Sequence, residues 1–120
     1  MYPDQFETRL ARVRHRFATT LESKIEDAVI SANLMSRGND GVLKHISESY
    51  RHLHGICGIG PTVGFSATGE AARVAEVALM QAYREGRALT EIEGLNLKKA
   101  LERLRAAAAS ELRLMYQRGG

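Results

Sequence analysis

The chain has 120 residues, 44% of them hydrophobic and 26% charged, the composition of one ordinary globular domain with no room for a second. Its net charge is +3, but Lys and Arg are interspersed with acids and no basic run is interleaved with aromatics, so they read as solvated helix faces and no nucleic-acid partner is expected. MYPDQFETRL has no apolar core and nowhere do about 18 apolar residues follow one another, so neither a secretory signal nor a membrane span is expected; the lone Cys57 forms no internal bridge, which a cytoplasmic setting permits.

Apolar residues recur at three- and four-residue intervals almost throughout, and no stretch alternates long enough for a half-buried strand. The fold class is therefore all-α. A first helix is expected from near Asp4, with Phe6, Leu10, Val13, Phe17 and Leu21 along one stripe and Ile25, Val29 and Leu34 continuing it; a break between Thr19 and Ser23 stays open. Arg37-Gly38-Asn39-Asp40-Gly41 supplies turn residues and a possible N-cap. The next helix carries Val42, Ile46, Tyr50, Leu53 and Cys57 on one stripe and runs into Gly55 to Gly64, where Pro61 predicts a kink or an end.

Phe65-Ser66 opens a further helix with an inner face of Ala71, Ala72, Ala75, Leu79 and Ala82, and Gly86 closes it. Thr90 and Glu93 have capping-box spacing for a last helix bearing Leu97, Leu101, Leu104, Ala108 and Met115. Short connections between amphipathic helices predict an antiparallel four-helix bundle with one or more additional N-terminal helices.

Four histidines, His15, His45, His52 and His54, are the first candidates for chemistry. No pair has the spacing of three or four residues at which one helix brings two imidazoles onto one metal ion, so no metal site is expected. Cys57, three residues after His54, reads better as a small packed hydrophobe than as a nucleophile. Gly55-x-x-Gly58-x-Gly60 follows no strand and lacks the Gly-Lys-Ser/Thr ending of a nucleotide loop. His54 lies about 80° from the apolar stripe, at the boundary of core and solvent, with Arg51 behind it and Gly58 one turn ahead. An imidazole there can offer one nitrogen to a visitor, and the glycine leaves room for it.

The stretch His54-Gly55-Ile56-Cys57-Gly58, then Gly64-Phe65, then Glu70-Ala71-Ala72-Arg73 and Glu76, resembles the histidine phosphotransfer (HPt) family. In that register Ile56 stands for the motif leucine, Gly58 and Gly64 for its two glycines, and Glu76 for the acid of the following helix. Placing Arg51, His52 or His45 in the histidine slot breaks the glycine spacing. The family's frequent lysine is Cys57 here, and Arg51 or Lys44 are the cations that could stand in for it.

The resemblance implies that His54 is the phosphoacceptor, that Arg51, Cys57, Gly58 and Gly64 support it or lie where a partner docks, and that the chain is a phosphotransfer intermediate with no turnover of its own. It implies a response-regulator receiver domain and a sensor or hybrid histidine kinase as partners. It implies no cofactor on this chain, Mg²⁺ being the receiver's. Transfer of this kind depends mostly on positioning and charge neutralisation, and an unperturbed imidazole is largely neutral and nucleophilic at pH 7. The alternative is a helical adaptor of the same shape that is never phosphorylated.

Overall fold

The computed structural model describes residues 3–35 and 41–118. Four α-helices follow in order, α1 (Pro3–Met35), α2 (Val42–Ile59), α3 (Ser66–Glu85) and α4 (Glu91–Gln117), with one 3₁₀ turn, Gly60–Val63, between α2 and α3. The described residues hold no strand.

The first segment does not break. α1 is one helix across Thr19–Ser23, so the additional N-terminal helices are absent from the described residues. Thr19 and Thr20 turn their hydroxyls back onto the Arg16 carbonyl, so these β-branched residues satisfy themselves locally without interrupting the ladder. The buried face of α1 is Phe17, Ala18, Leu21, Ile25, Ala28, Ala32 and Met35, whereas Val13 is exposed and Leu34 half-buried. The stripe was assigned one residue out at Leu34 because the alanines that carry it further along add little to an apolar pattern. Phe6 and the possible cap within residues 37–40 lie outside the described side chains; Gly41 occupies the N-cap position of α2 with φ 91°.

A similar correction applies to α2. Its buried residues are Val42, Ile46, Ser49, Leu53 and Ile56, which moves the stripe's centre away from Tyr50 and Cys57. Both are half-buried on the flank facing α3. α3 and α4 match expectation more closely. Ala71, Ala72, Ala75, Leu79 and Ala82 are buried, as are Leu97, Leu101, Leu104 and Ala108, while Leu112 is more enclosed than Met115. Small residues on α3 let its neighbours close in, and each fully buried leucine contributes on the order of 2 kcal/mol of apolar transfer.

Contacts run α1 to α2, α2 to α3, α3 to α4 and α4 to α1, and among the described residues the diagonal pairs do not meet. One buried cluster fills the space between all four helices. The pairs across α2 and α3 run in opposite chain directions: Gly60 meets Gly69, His54 meets Glu76, and Tyr50 meets Tyr83.

The α2–α3 turn sets this register. Pro61 sits in the first turn of the 3₁₀ segment, where its missing N–H is no loss, and the Phe65 N–H donates back to the Gly60 carbonyl at 2.8 Å. Gly64 adopts φ 92°, the left-handed conformation glycine takes without strain. α3 then passes so close that a Cβ on Gly69 would lie 2.8 Å from Pro61 Cδ. From the Gly60–Gly69 approach, six residues back toward α2 and seven forward along α3 are axial distances of about 9 and 10.5 Å, which brings residue 54 level with residue 76.

Candidate functional site

His54 stands on α2, one position beyond the fully buried Leu53 and so about 100° round the helix from it, on the flank facing α3. Its side chain is 68% exposed. The ring is nevertheless fixed on one side: Nδ1 lies 3.1 Å from Oε1 of Glu76, whose carboxyl is only 2% exposed. A carboxylate can only accept, so with Glu76 ionised the ring proton resides on Nδ1 and the lone pair on Nε2. A buried carboxylate is costly unless paired, and a ring N–H is the partner provided here. Oε2 of Glu76 is enclosed and has no hydrogen-bond partner within ordinary geometry.

Two aromatic rings complete the site. Tyr50, one turn before His54, stacks on the imidazole with centroids 5.9 Å apart and planes 7° from parallel. Its other neighbour is Tyr83 of α3, at 4.2 Å and 5°. The Tyr50 phenol is held above its ordinary value, first by burial and then by the charge of the nearby Glu76.

Arg51, just under one turn behind His54, is exposed and makes no hydrogen bond or ion pair among the described residues. A Cβ built on Gly55 or Gly58 would meet nothing within 4 Å, so the surface beside the imidazole is open. Cys57 is half-buried and packs against the core cluster. Gly64 is brought elsewhere: it caps the 3₁₀ turn beside Arg14, and its positive φ is what the position requires. Lys44 pairs at 4.0 Å with Glu48, and ten residues of helix separate it from His54 by about 15 Å, so of the two cations considered only Arg51 adjoins the imidazole.

The other histidines are placed differently. His15 is exposed on α1, while His45 and His52 are half-buried on the flank of α2 away from His54. No group of three metal-ligating side chains occurs among the described residues. A cavity of about 580 Å³ lies at the Gly64 end, lined by Arg14, Phe65, Glu111 and Met115 among others. There Glu111 accepts from the Thr68 N–H at 2.7 Å and the Thr68 hydroxyl at 2.6 Å, capping the start of α3 from α4. Sequence reasoning had matched Glu76 but had read Tyr50 as core, and it had found neither Tyr83 nor Gly69. The Tyr50–His54 spacing of four was a usable signal, but the cross-helix partners needed the register.

Compared with protein-family models, with curated proteins and with solved structures, the chain has no match in any of the three. An imidazole held through Nδ1 and open at Nε2 has a lone pair that can act as a nucleophile or accept a proton. Cys57, the nearest nucleophile in sequence, is engaged in packing.

Proposed function

We propose that the protein is a histidine phosphotransfer domain built as an antiparallel four-helix bundle, with His54 Nε2 as the phosphoacceptor. The observation that carries the reading is the exposed imidazole whose Nδ1 is held by the buried Glu76. The opposed chain directions of the α2–α3 contacts and the lack of diagonal contacts support the bundle.

In the proposed step the Nε2 lone pair attacks the phosphorus of a receiver's aspartyl phosphate. The N–P bond forms as the P–O bond to the aspartate breaks, and the carboxylate leaves with the electron pair. No proton has to leave Nε2, because the ring proton is already on Nδ1. The Nδ1–H···Glu76 bond then spreads the positive charge that develops on the ring. Return of the group to a receiver is the reverse. The acids and Mg²⁺ that neutralise the phosphoryl oxygens would belong to the receiver, with the exposed Arg51 on this chain just under one turn from His54. A kinase phosphohistidine or a second receiver would be the other partner, in a cytoplasmic relay.

Incubation with a panel of phosphorylated receivers, and separately with phosphoramidate, tests the reading. Two variants serve beside the parent: His52→Gln is expected to take acid-labile, base-stable label as the parent does, and His54→Gln to take none. Label on His54→Gln, or its loss only in His52→Gln, overturns the assignment. The adaptor reading draws on Cys57 standing where the family has lysine; on that reading no donor labels the parent and partner binding survives His54→Gln.

A further inference from the structure

We infer that Tyr50, braced by Tyr83, is a positioning residue for His54: the three parallel rings hold the imidazole plane so that Nδ1 stays on Glu76 and Nε2 points outward. The inference deepens the phosphotransfer reading and rests on it for its purpose, though not for its geometry.

An exposed histidine on a helix ordinarily turns about χ2, and a single hydrogen bond to Nδ1 leaves that rotation weakly opposed. Here the imidazole lies 5.9 Å from the Tyr50 ring and within 7° of parallel to it. Tyr50 is half-buried on the flank facing α3, and its other ring contact is the more exposed Tyr83, at 4.2 Å and 5°. The stack thus crosses from α2 to α3, the helix that also supplies Glu76. One pair of helices therefore fixes the ring by its face and by its edge. A quarter-turn of the imidazole would lose both contacts together, so the face contact opposes the swing by which Nδ1 would leave Glu76.

The Tyr50 phenol also senses the carboxylate on which His54 rests: after burial, the charge of Glu76 holds it above its ordinary value. Arg84, on the next position after Tyr83, also acts on the Tyr50 phenol, in the opposite sense.

Nitrogen-15 NMR of the His54 ring tests this at a pH of about 8.5, well above the ordinary imidazole value, so that the neutral tautomers are read directly. The parent and Tyr50→Phe are expected to show one tautomer with the proton on Nδ1, because phenylalanine keeps the stacking face. Tyr50→Leu is expected to show a mixture of both tautomers and to be labelled by phosphoramidate about fivefold more slowly or worse, with phosphoryl appearing on Nδ1 as well as Nε2. Parent-like ring signals and rate in Tyr50→Leu would overturn the inference. Should Tyr50→Leu fail to fold, Tyr83→Leu decides: it is expected to move the tautomer ratio the same way by less, and no movement overturns the inference. If the parent takes no label from any donor, the phosphotransfer reading falls, while the ring signals still decide whether Tyr50 positions His54.

Discussion

Glu76 and Glu93 are satisfied in opposite ways. Glu93, in the first turn of α4, accepts from the Thr90 N–H and from Arg87 Nη1, both at 2.8 Å, through one oxygen, and from Arg87 Nη2 at 3.1 Å through the other. Its own N–H donates to the Thr90 hydroxyl at 3.1 Å, completing a capping box. Glu76, more deeply buried, has one bond, to an exposed histidine, and an enclosed oxygen without a partner. A carboxylate whose bonds are all made to its own scaffold stabilises that scaffold. One left under-satisfied and bonded to an exposed imidazole adds little to the scaffold, and on the proposed reading it serves the imidazole instead.

Three substitutions test that contrast. The largest effect is expected from Glu76→Gln, which keeps the volume but removes the charge that holds the Nδ1 proton and stabilises the developing imidazolium. Labelling by phosphoramidate should slow by at least about tenfold, a barrier change of about 1.4 kcal/mol, while the melting temperature stays within a few degrees. A large fall in melting temperature with an unchanged rate would make Glu76 a scaffold residue like Glu93.

Gly58→Gln comes next and acts on the approach instead of the nucleophile. Glycine in a helix interior costs about 1 kcal/mol relative to alanine, and the space at Gly58 is open, so this variant should melt no lower than the parent. A receiver has to come close to His54, and transfer from it is expected to slow about tenfold, with phosphoramidate much less affected. Equal receiver rates in variant and parent would remove Gly58 from the docking surface.

The smallest effect is expected at Glu93. Its pKa is lowered from 4.5 to about 2, chiefly by the Arg87 hydrogen bonds and then by the Thr90 backbone. A carboxyl whose folded pKa is depressed contributes stability that is complete above its ordinary value and is lost as pH falls through the folded one. Glu93→Gln should therefore cost on the order of 1 kcal/mol at pH 7, allowing for screening at this partly open site, and transfer should be unchanged. The gap in melting temperature between variant and parent should close progressively between pH 4.5 and about 2. A gap independent of pH would mean that the lost capping geometry, and not the ionised carboxylate, is responsible.

The same contrast explains what the sequence made legible. The Thr90–Glu93 box and the stops at Pro61 and Gly86 are local devices, set by residues within a turn of each other, and each falls where the pattern put it. His54 was legible as a boundary residue because it adjoins a strongly apolar stripe. The Tyr50 stack was not, since an aromatic at four-residue spacing from Ile46 and one turn from Leu53 fits a core stripe as well as its flank. Only the packing of α3 against that flank distinguishes the two. α1 was harder for a related reason: exposed threonines look like a break until their hydroxyls are seen to bond back to Arg16.

Gly69 lies seven residues from Glu76 and touches neither it nor His54, yet the axial setting of α3 against α2 depends on the bare Cα that lets Pro61 rest there. The two helices behave like the scales of a vernier: sliding one by a single residue, about 1.5 Å, with the roughly 100° turn that accompanies it, would carry the carboxylate off the imidazole and present another side chain in its place. The alignment of donor and acceptor is thus specified at the hinge end of the helical pair, where no chemistry occurs, and lineages of this protein could lose the dyad by drift at Pro61 or Gly69 with every residue of the dyad itself intact.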